Sequence, residues 1–100
     1  MIKKVYSFKA KVWLYPGPAA WFFITLPQKI ADEIDFYFSH QKRGWGSLPV
    51  KVTIGDTSWK TSIFPDKRSK SYILPLKKEV RKNEKIIEGS SVKITFEIAP

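Results

Sequence analysis

Residues 44–65 read GWGSLPVKVTIGDTSWKTSIFP, and this stretch decides the fold. Apolar and polar residues alternate over 50–54, which is the period of a strand with one buried face. Gly55-Asp56 then supplies a tight turn, and the alternation returns over 59–64. The stretch therefore predicts a β-hairpin with a glycine-rich entry and a proline exit.

A strand, a Leu-Pro step and a helix precede the hairpin, and the same order follows it. The strand before the first helix is aromatic and β-branched, and we expect it to be buried on both faces. The connections are too short for a parallel doubly wound sheet. We predict one mostly β domain over residues 1–100, with six strands and two short helices. The strands outside the hairpin are predicted at 3–14, 21–26, 72–74 and 92–98, and the helices after Pro27 and Pro75.

The chain contains an internal repeat. Leu26-Pro27 and Leu74-Pro75 each join a strand to a helix, and the alternating segments 50–54 and 92–96 each follow a glycine-containing loop. Two copies of one supersecondary unit predict a barrel whose halves are related by a pseudo-twofold axis.

The second unit resembles the half-barrel of AbrB/MazE-type proteins through Leu74-Pro75, the basic helix and the segment 88–92. The whole chain is similar to a bacterial and archaeal family known only as a domain of unknown function. The residues that carry this similarity are Leu26-Pro27, Arg43-Gly44 with Gly46, Val52 to Gly55, Trp59 to Pro65, Tyr72 to Pro75 and Lys77 to Lys82.

That resemblance implies a six-stranded double-split β-barrel of two pseudo-twofold related units, capped by two short α-helices. It implies no established activity. Relatives often carry a YdeI/OmpD-associated domain after this one, so a separately encoded YdeI-like domain is an expected partner here.

The charge balance favours an anionic partner. Eighteen Lys and Arg against nine Asp and Glu give a net charge of +9, and such a field attracts polyanions. The alternative is a lysine-rich surface that keeps the protein soluble and protects strand edges. The absence of cysteine fits a reducing cytoplasm. No apolar run is long enough to span a membrane, so we expect a cytoplasmic protein without a membrane partner.

The basic residues are concentrated after the hairpin. Between Lys67 and Lys85, eight basic and two acidic side chains give a net charge of +6 within nineteen residues. Because lysine binds phosphate as a point charge, we expect contact with a nucleic-acid backbone and little sequence preference. The alternative is a solvated helix face. The predicted anion-binding residues are Arg43, Lys67, Arg68, Lys70, Lys77, Lys78, Arg81 and Lys82.

The sequence offers no catalytic or metal-binding constellation. It contains one histidine, His40, no cysteine, and neither a nucleophile-elbow nor a phosphate-loop motif. Its carboxylates are scattered rather than paired, and no cluster has metal-ligand spacing. We therefore predict no catalytic residues, no metal, no cofactor and no enzymatic activity.

Trp45, between two glycines, is either a lid on one end of the barrel or a presented binding surface, and the lid is the favoured interpretation. The predicted function is a non-catalytic binding module for an anionic partner such as nucleic acid. The alternatives are a protein–protein module that acts with a YdeI-like domain, and a small-ligand pocket at a barrel end. The residues predicted for that pocket are Arg43, Trp45, Thr53, Trp59 and Ser62.

Overall fold

The structure, a computed structural model, describes residues 4–99 and is mostly β, as predicted. Within that range it contains seven strands, two α-helices and 3₁₀ turns at Ser39–Gln41 and Gly44–Gly46. The strands are β1 (Val5–Lys11), β2 (Trp13–Tyr15), β3 (Trp21–Thr25), β4 (Leu48–Ile54), β5 (Thr57–Asp66), β6 (Ser71–Pro75) and β7 (Ser91–Ile98). The helices are α1 (Gln28–Phe38) and α2 (Lys78–Asn83).

The predicted count of six strands is wrong for the described residues, because the predicted strand 3–14 is two strands. All strand pairs are antiparallel, in the order β1-β7-β4-β5-β6-β3-β2, so β1 and β2 lie at opposite edges of the sheet. Along the chain, Val12 is the single residue between β1 and β2. Its N–H donates to the Ser90 carbonyl at 2.9 Å and its carbonyl accepts from the Gly89 N–H at 2.8 Å. Because one residue connects the two edge strands, the sheet must curl strongly so that its edges meet at Val12. Lys3, where the predicted strand begins, lies outside the described residues.

The core lies inside this curl and is built from alternate residues of the central strands. Leu48, Val50 and Val52 of β4 are almost completely buried, and β7 contributes Ile94 and Phe96. Burial of side chains of this size stabilises the fold by about 1.5–3 kcal/mol each.

The two helices cover the curled sheet with short apolar faces. The sequence repeats apolar residues at 30, 34, 37 and 38 of α1, a spacing that predicts one apolar stripe. Of this stripe, Ile34 and Phe38 are buried, while Ile30 and Tyr37 are only half-buried. The shorter α2 is anchored by Val80, which is buried. No helix among residues 4–99 is long and apolar enough to cross a membrane.

The predicted hairpin is confirmed as β4 and β5, which pair up to Ile54 and Thr57. Its turn needs glycine at position 55, where φ is +57°. The Glu84 carboxylate after α2 lies where a Cβ on Gly55 would be, and it accepts a hydrogen bond from Thr57 Oγ1 at 2.5 Å. The tip of the hairpin is thus attached to the end of α2.

We expect Gly55→Ala to destabilise the protein by about 1–3 kcal/mol, because the new Cβ forces a strained φ and displaces Glu84. Chemical denaturation of both proteins measures the difference. Gly44→Ala is the matched control, since a Cβ there meets no atom within 4 Å and its φ is not positive. Equal stability of the two variants would contradict the contact between the turn and α2.

Candidate anion-binding groove

Strands β5 and β6 separate from one another near Pro75. Their ladder contains three residue pairs and stops at the pair Phe64–Ile73. Continuing the register places Pro75 opposite Ser62, and proline has no N–H to donate to the neighbouring strand. A gap therefore opens between β5 and the chain that leads from β6 into α2.

The gap forms a groove of about 270 Å³, lined by the start of β3, the middle of β5, the end of β6 and α2. Four of its lining residues are basic and none is acidic. Within residues 4–99, no carboxylate forms a salt bridge with any of the four. Unneutralised cations in a concave surface raise the local concentration of anions. The four residues are Lys60, Lys77, Lys78 and Arg81.

Arg81 is held in place by two contacts. Its guanidinium lies 4.0 Å from the centre of the Phe22 ring, and its Nε–H donates to the Leu76 carbonyl at 3.1 Å. Cation–π contact and this hydrogen bond fix the plane of the guanidinium. The terminal N–H groups can then bind a phosphate or carboxylate in a bidentate manner.

Trp21 is the exposed aromatic residue of the groove, 54% accessible, so the expectation that this strand is buried on both faces is wrong. Ile24 in the same strand is fully buried. Because side chains alternate across a strand, Trp21 lies on the outer face of the sheet and Ile24 on the inner face. Sequence reasoning missed Trp21, and it also missed Lys60, which the alternation of β5 places outward.

The structure divides the predicted basic residues into two groups. Lys77, Lys78 and Arg81 line the groove, while Lys82 is exposed on α2 without lining it. The turn between β5 and β6 lies at the other end of β6, a strand of five residues and thus about 16 Å long. That turn carries Lys67, Arg68 and Lys70.

Arg43 belongs with this second group. It precedes the Gly44–Gly46 turn, where Gly46 lies against the Pro65 ring at the end of β5. The neighbouring Lys42 is already paired: its Nζ lies 3.0 Å from Asp35 Oδ1.

Asp35 is the centre of a polar network beside this turn. Tyr72 donates its hydroxyl hydrogen to Asp35 Oδ1 at 2.5 Å, and Lys42 contacts the same oxygen. Partial burial alone would raise the pKa of Asp35, but hydrogen bonds from Tyr72 and Lys42 outweigh it and hold the pKa below its usual value. Burial, followed by the bond to Asp35, raises the pKa of Tyr72.

The five residues of the predicted small-ligand pocket do not meet in one place among the described residues. Trp59 faces the core at 9% exposure and touches the groove, whereas Thr53 lies on the outer face, where its Oγ1 is 2.8 Å from Ser58 Oγ. Ser62 is opposite Pro49, and Arg43 is in the loop that leads to the Gly44–Gly46 turn.

Trp45 is not a lid. It is 95% exposed and has a φ of 64°. The two flanking glycines turn the chain so that the indole projects into solvent. Residues 4–99 also contain no group of three or more His, Cys, Asp or Glu side chains placed to hold a metal ion.

These features define a small, curled, antiparallel β domain with a basic groove at a gap in its sheet. The chain belongs to the family described as Domain of unknown function (DUF1905), whose model matches residues 8–96. The expected membership of a domain-of-unknown-function family is therefore confirmed, and the match includes every groove residue. The sequence matches no curated protein.

We expect Asp35→Asn to lower stability near neutral pH and to weaken the loss of stability in acid. The folded pKa of Asp35 lies below its unfolded value, so its ionised form stabilises the fold above that value. This stabilisation disappears as the pH falls from about 4 through the folded pKa. Thermal melts across this pH range measure the effect.

Asp32→Asn is the control, because it removes an exposed α1 carboxylate that bonds only Gln28 among the described residues. If Asp35→Asn and the unmodified protein lose stability in parallel on acidification, the network does not act as described.

Proposed function

We propose that this domain is a non-catalytic binding module that contacts the phosphate backbone of nucleic acid through the groove beside α2. The observation that carries the proposal is the convergence of Lys60 with Lys77, Lys78 and Arg81 in one concave surface without a lining carboxylate. Lys60 comes from a different strand, so the site is more than the basic segment of the sequence.

The chemistry of these four cations suits phosphates rather than base edges. Lysine ammonium groups attract phosphate oxygens as point charges, and the held guanidinium of Arg81 adds a bidentate contact. Such contacts position a nucleic acid without reading its sequence. Four neutralised phosphates give a slope of about −3 for log affinity against log salt.

We also propose that the strand–helix–strand units form a double-split barrel with a pseudo-twofold axis, as in AbrB/MazE-type proteins. Thr25 and Ile73 hold equivalent positions relative to the two Leu-Pro steps, and they pair directly between β3 and β6. Thr53 and Thr95 hold equivalent positions in the alternating segments, and they pair directly between β4 and β7. A twofold axis that passes between two antiparallel strands places the residue nearest the axis opposite its own symmetry equivalent. Both pairs therefore support this symmetry.

A protein–protein module that acts with a YdeI-like domain is the second candidate. The observation that favours it is Trp45, an indole 95% exposed on a turn that presents it to solvent. Both proposals place the domain in the cytoplasm, which the absence of cysteine favours. Titration with such a domain tests this candidate, followed by tryptophan fluorescence in the unmodified protein and in Trp45→Phe, because the chain contains four tryptophans. A spectrum that does not change on titration would contradict the candidate.

Reversal of two groove charges tests the nucleic-acid proposal. We expect Lys77→Glu/Lys78→Glu to lose roughly tenfold or more in affinity for a short oligonucleotide, because two phosphate contacts are lost and two carboxylates repel the backbone. The magnitude of the salt slope falls by roughly 1.5. Fluorescence anisotropy between about 50 and 200 mM salt measures both quantities.

Lys9→Glu/Lys93→Glu is the matched control, since these exposed lysines face each other between β1 and β7 and the net charge changes equally. Equal losses in the two double variants would mean that only net charge matters. A larger loss for Lys67→Glu/Arg68→Glu would assign the contact to the turn between β5 and β6. Absence of binding to the unmodified protein at low salt would end the proposal.

A further inference from the structure

Four aromatic rings form a continuous platform on the outer face of the β2–β3 hairpin. The register pairs Trp13 with Phe23 and Tyr15 with Trp21, so all four side chains lie on the same face. The centre of the Phe23 ring lies 5.1 Å from that of Trp13, 6.2 Å from Tyr15 and 6.0 Å from Trp21. Phe23 is therefore covered by its three neighbours and is only 8% exposed.

The covering rings are held in position but remain accessible. Trp21 stacks on Phe23 with an angle of 19° between the ring planes and is 54% exposed, and Tyr15 is 48% exposed. The Trp13 indole N–H donates to Thr25 Oγ1 at 2.9 Å. Rings that are already fixed lose little conformational entropy when a flat partner stacks on them.

The platform continues into the basic groove, because Trp21 lines that groove together with Lys60, Lys77 and Lys78. The rings are not coplanar, since Tyr15 meets Phe23 edge-on at 82°, but Trp21 and Tyr15 each keep an accessible aromatic surface. Accessible aromatic rings beside a row of cations can bind unpaired bases and their phosphates at once. A duplex keeps its bases stacked inside and offers only phosphates to such a surface.

We infer that the platform and the groove together select single-stranded over double-stranded nucleic acid, with bases stacked on Trp21 and Tyr15 and phosphates on the groove lysines. This inference rests on the proposed function, and it adds which form of the polymer is bound. Since every base can stack on an aromatic ring, the site distinguishes single-stranded from double-stranded nucleic acid rather than one sequence from another.

The test compares a single-stranded oligonucleotide with the duplex of the same sequence, by anisotropy at one salt concentration. We expect Trp21→Ala to lose roughly ten- to a hundredfold in affinity for the single strand and much less in affinity for the duplex, with a similar salt slope because no phosphate contact is removed. Trp21→Phe keeps a ring and is expected to retain most of the affinity. Phe36→Ala is the control, because Phe36 is 78% exposed on α1 and does not line the groove.

The outcomes separate this inference from the proposed function. If single strand and duplex bind equally and Trp21→Ala changes neither, the groove still binds phosphate but the platform does not stack bases. If Trp21→Ala loses affinity for the single strand but Lys77→Glu/Lys78→Glu binds it as tightly as the unmodified protein, the proposed function is wrong. A further result would overturn the inference: a dimer that Trp21→Ala converts to a monomer without loss of single-strand affinity. The platform would then contact a second copy of the chain.

Discussion

The missing N–H of Pro75 is the constraint on which the shape of the groove depends. A residue with a donor at this position would continue the ladder with β5 at Ser62. Pro75 ends that ladder, while the N–H of Leu76 still bonds the Phe22 carbonyl at 2.9 Å and keeps the chain beside β3. The chain thus separates from β5 but stays hydrogen-bonded to β3. The segment that carries Lys77 is directed over the gap that results.

Local patterns predicted most of the fold, because the curled sheet buries one face of each central strand. The alternation over 50–54 correctly separated the buried residues of β4 from the outward ones, and Gly55-Asp56 marked the turn. The seventh strand could not be predicted in this way. The alternation runs through Val12 without a glycine or proline that would mark a break. At Val12 the chain passes from one edge of the sheet to the other, and this depends on hydrogen bonds to Gly89 and Ser90, which are almost eighty positions away.

The candidate site was harder to predict, because a count of charges along the chain does not include strand register. Lys70 and Lys77 are close in sequence, but the extended β6 separates them. Lys60 is further away in sequence and yet lines the same groove as Lys77, because β5 runs beside the gap. The aromatic platform did leave a signal: aromatic residues occupy alternate positions on both sides of the Pro16-Gly17-Pro18 turn. The apolar character of residues 21–26 instead favours a strand buried on both faces, and this interpretation conceals the outward-facing rings.

The basic face of α2 is not required by the packing that holds this helix. Val80 and Leu76 are buried in the core, and Glu84 fastens the end of the segment to Thr57. Lys77 and Arg81 are like charges four residues apart, as are Lys78 and Lys82, and each such pair costs about 0.2–0.5 kcal/mol.

Lys78 at the start of α2 also opposes the helix dipole, whereas Glu79 in the first turn and Arg81 and Lys82 in the last turn suit it. Glu79, the acidic residue of the first turn, forms no salt bridge within residues 4–99. The like-charge pairs of α2 and its N-cap therefore have no salt bridge to relieve them among the described residues. A bound polyanion would relieve the repulsion within these pairs and would thereby stabilise α2 in a complex.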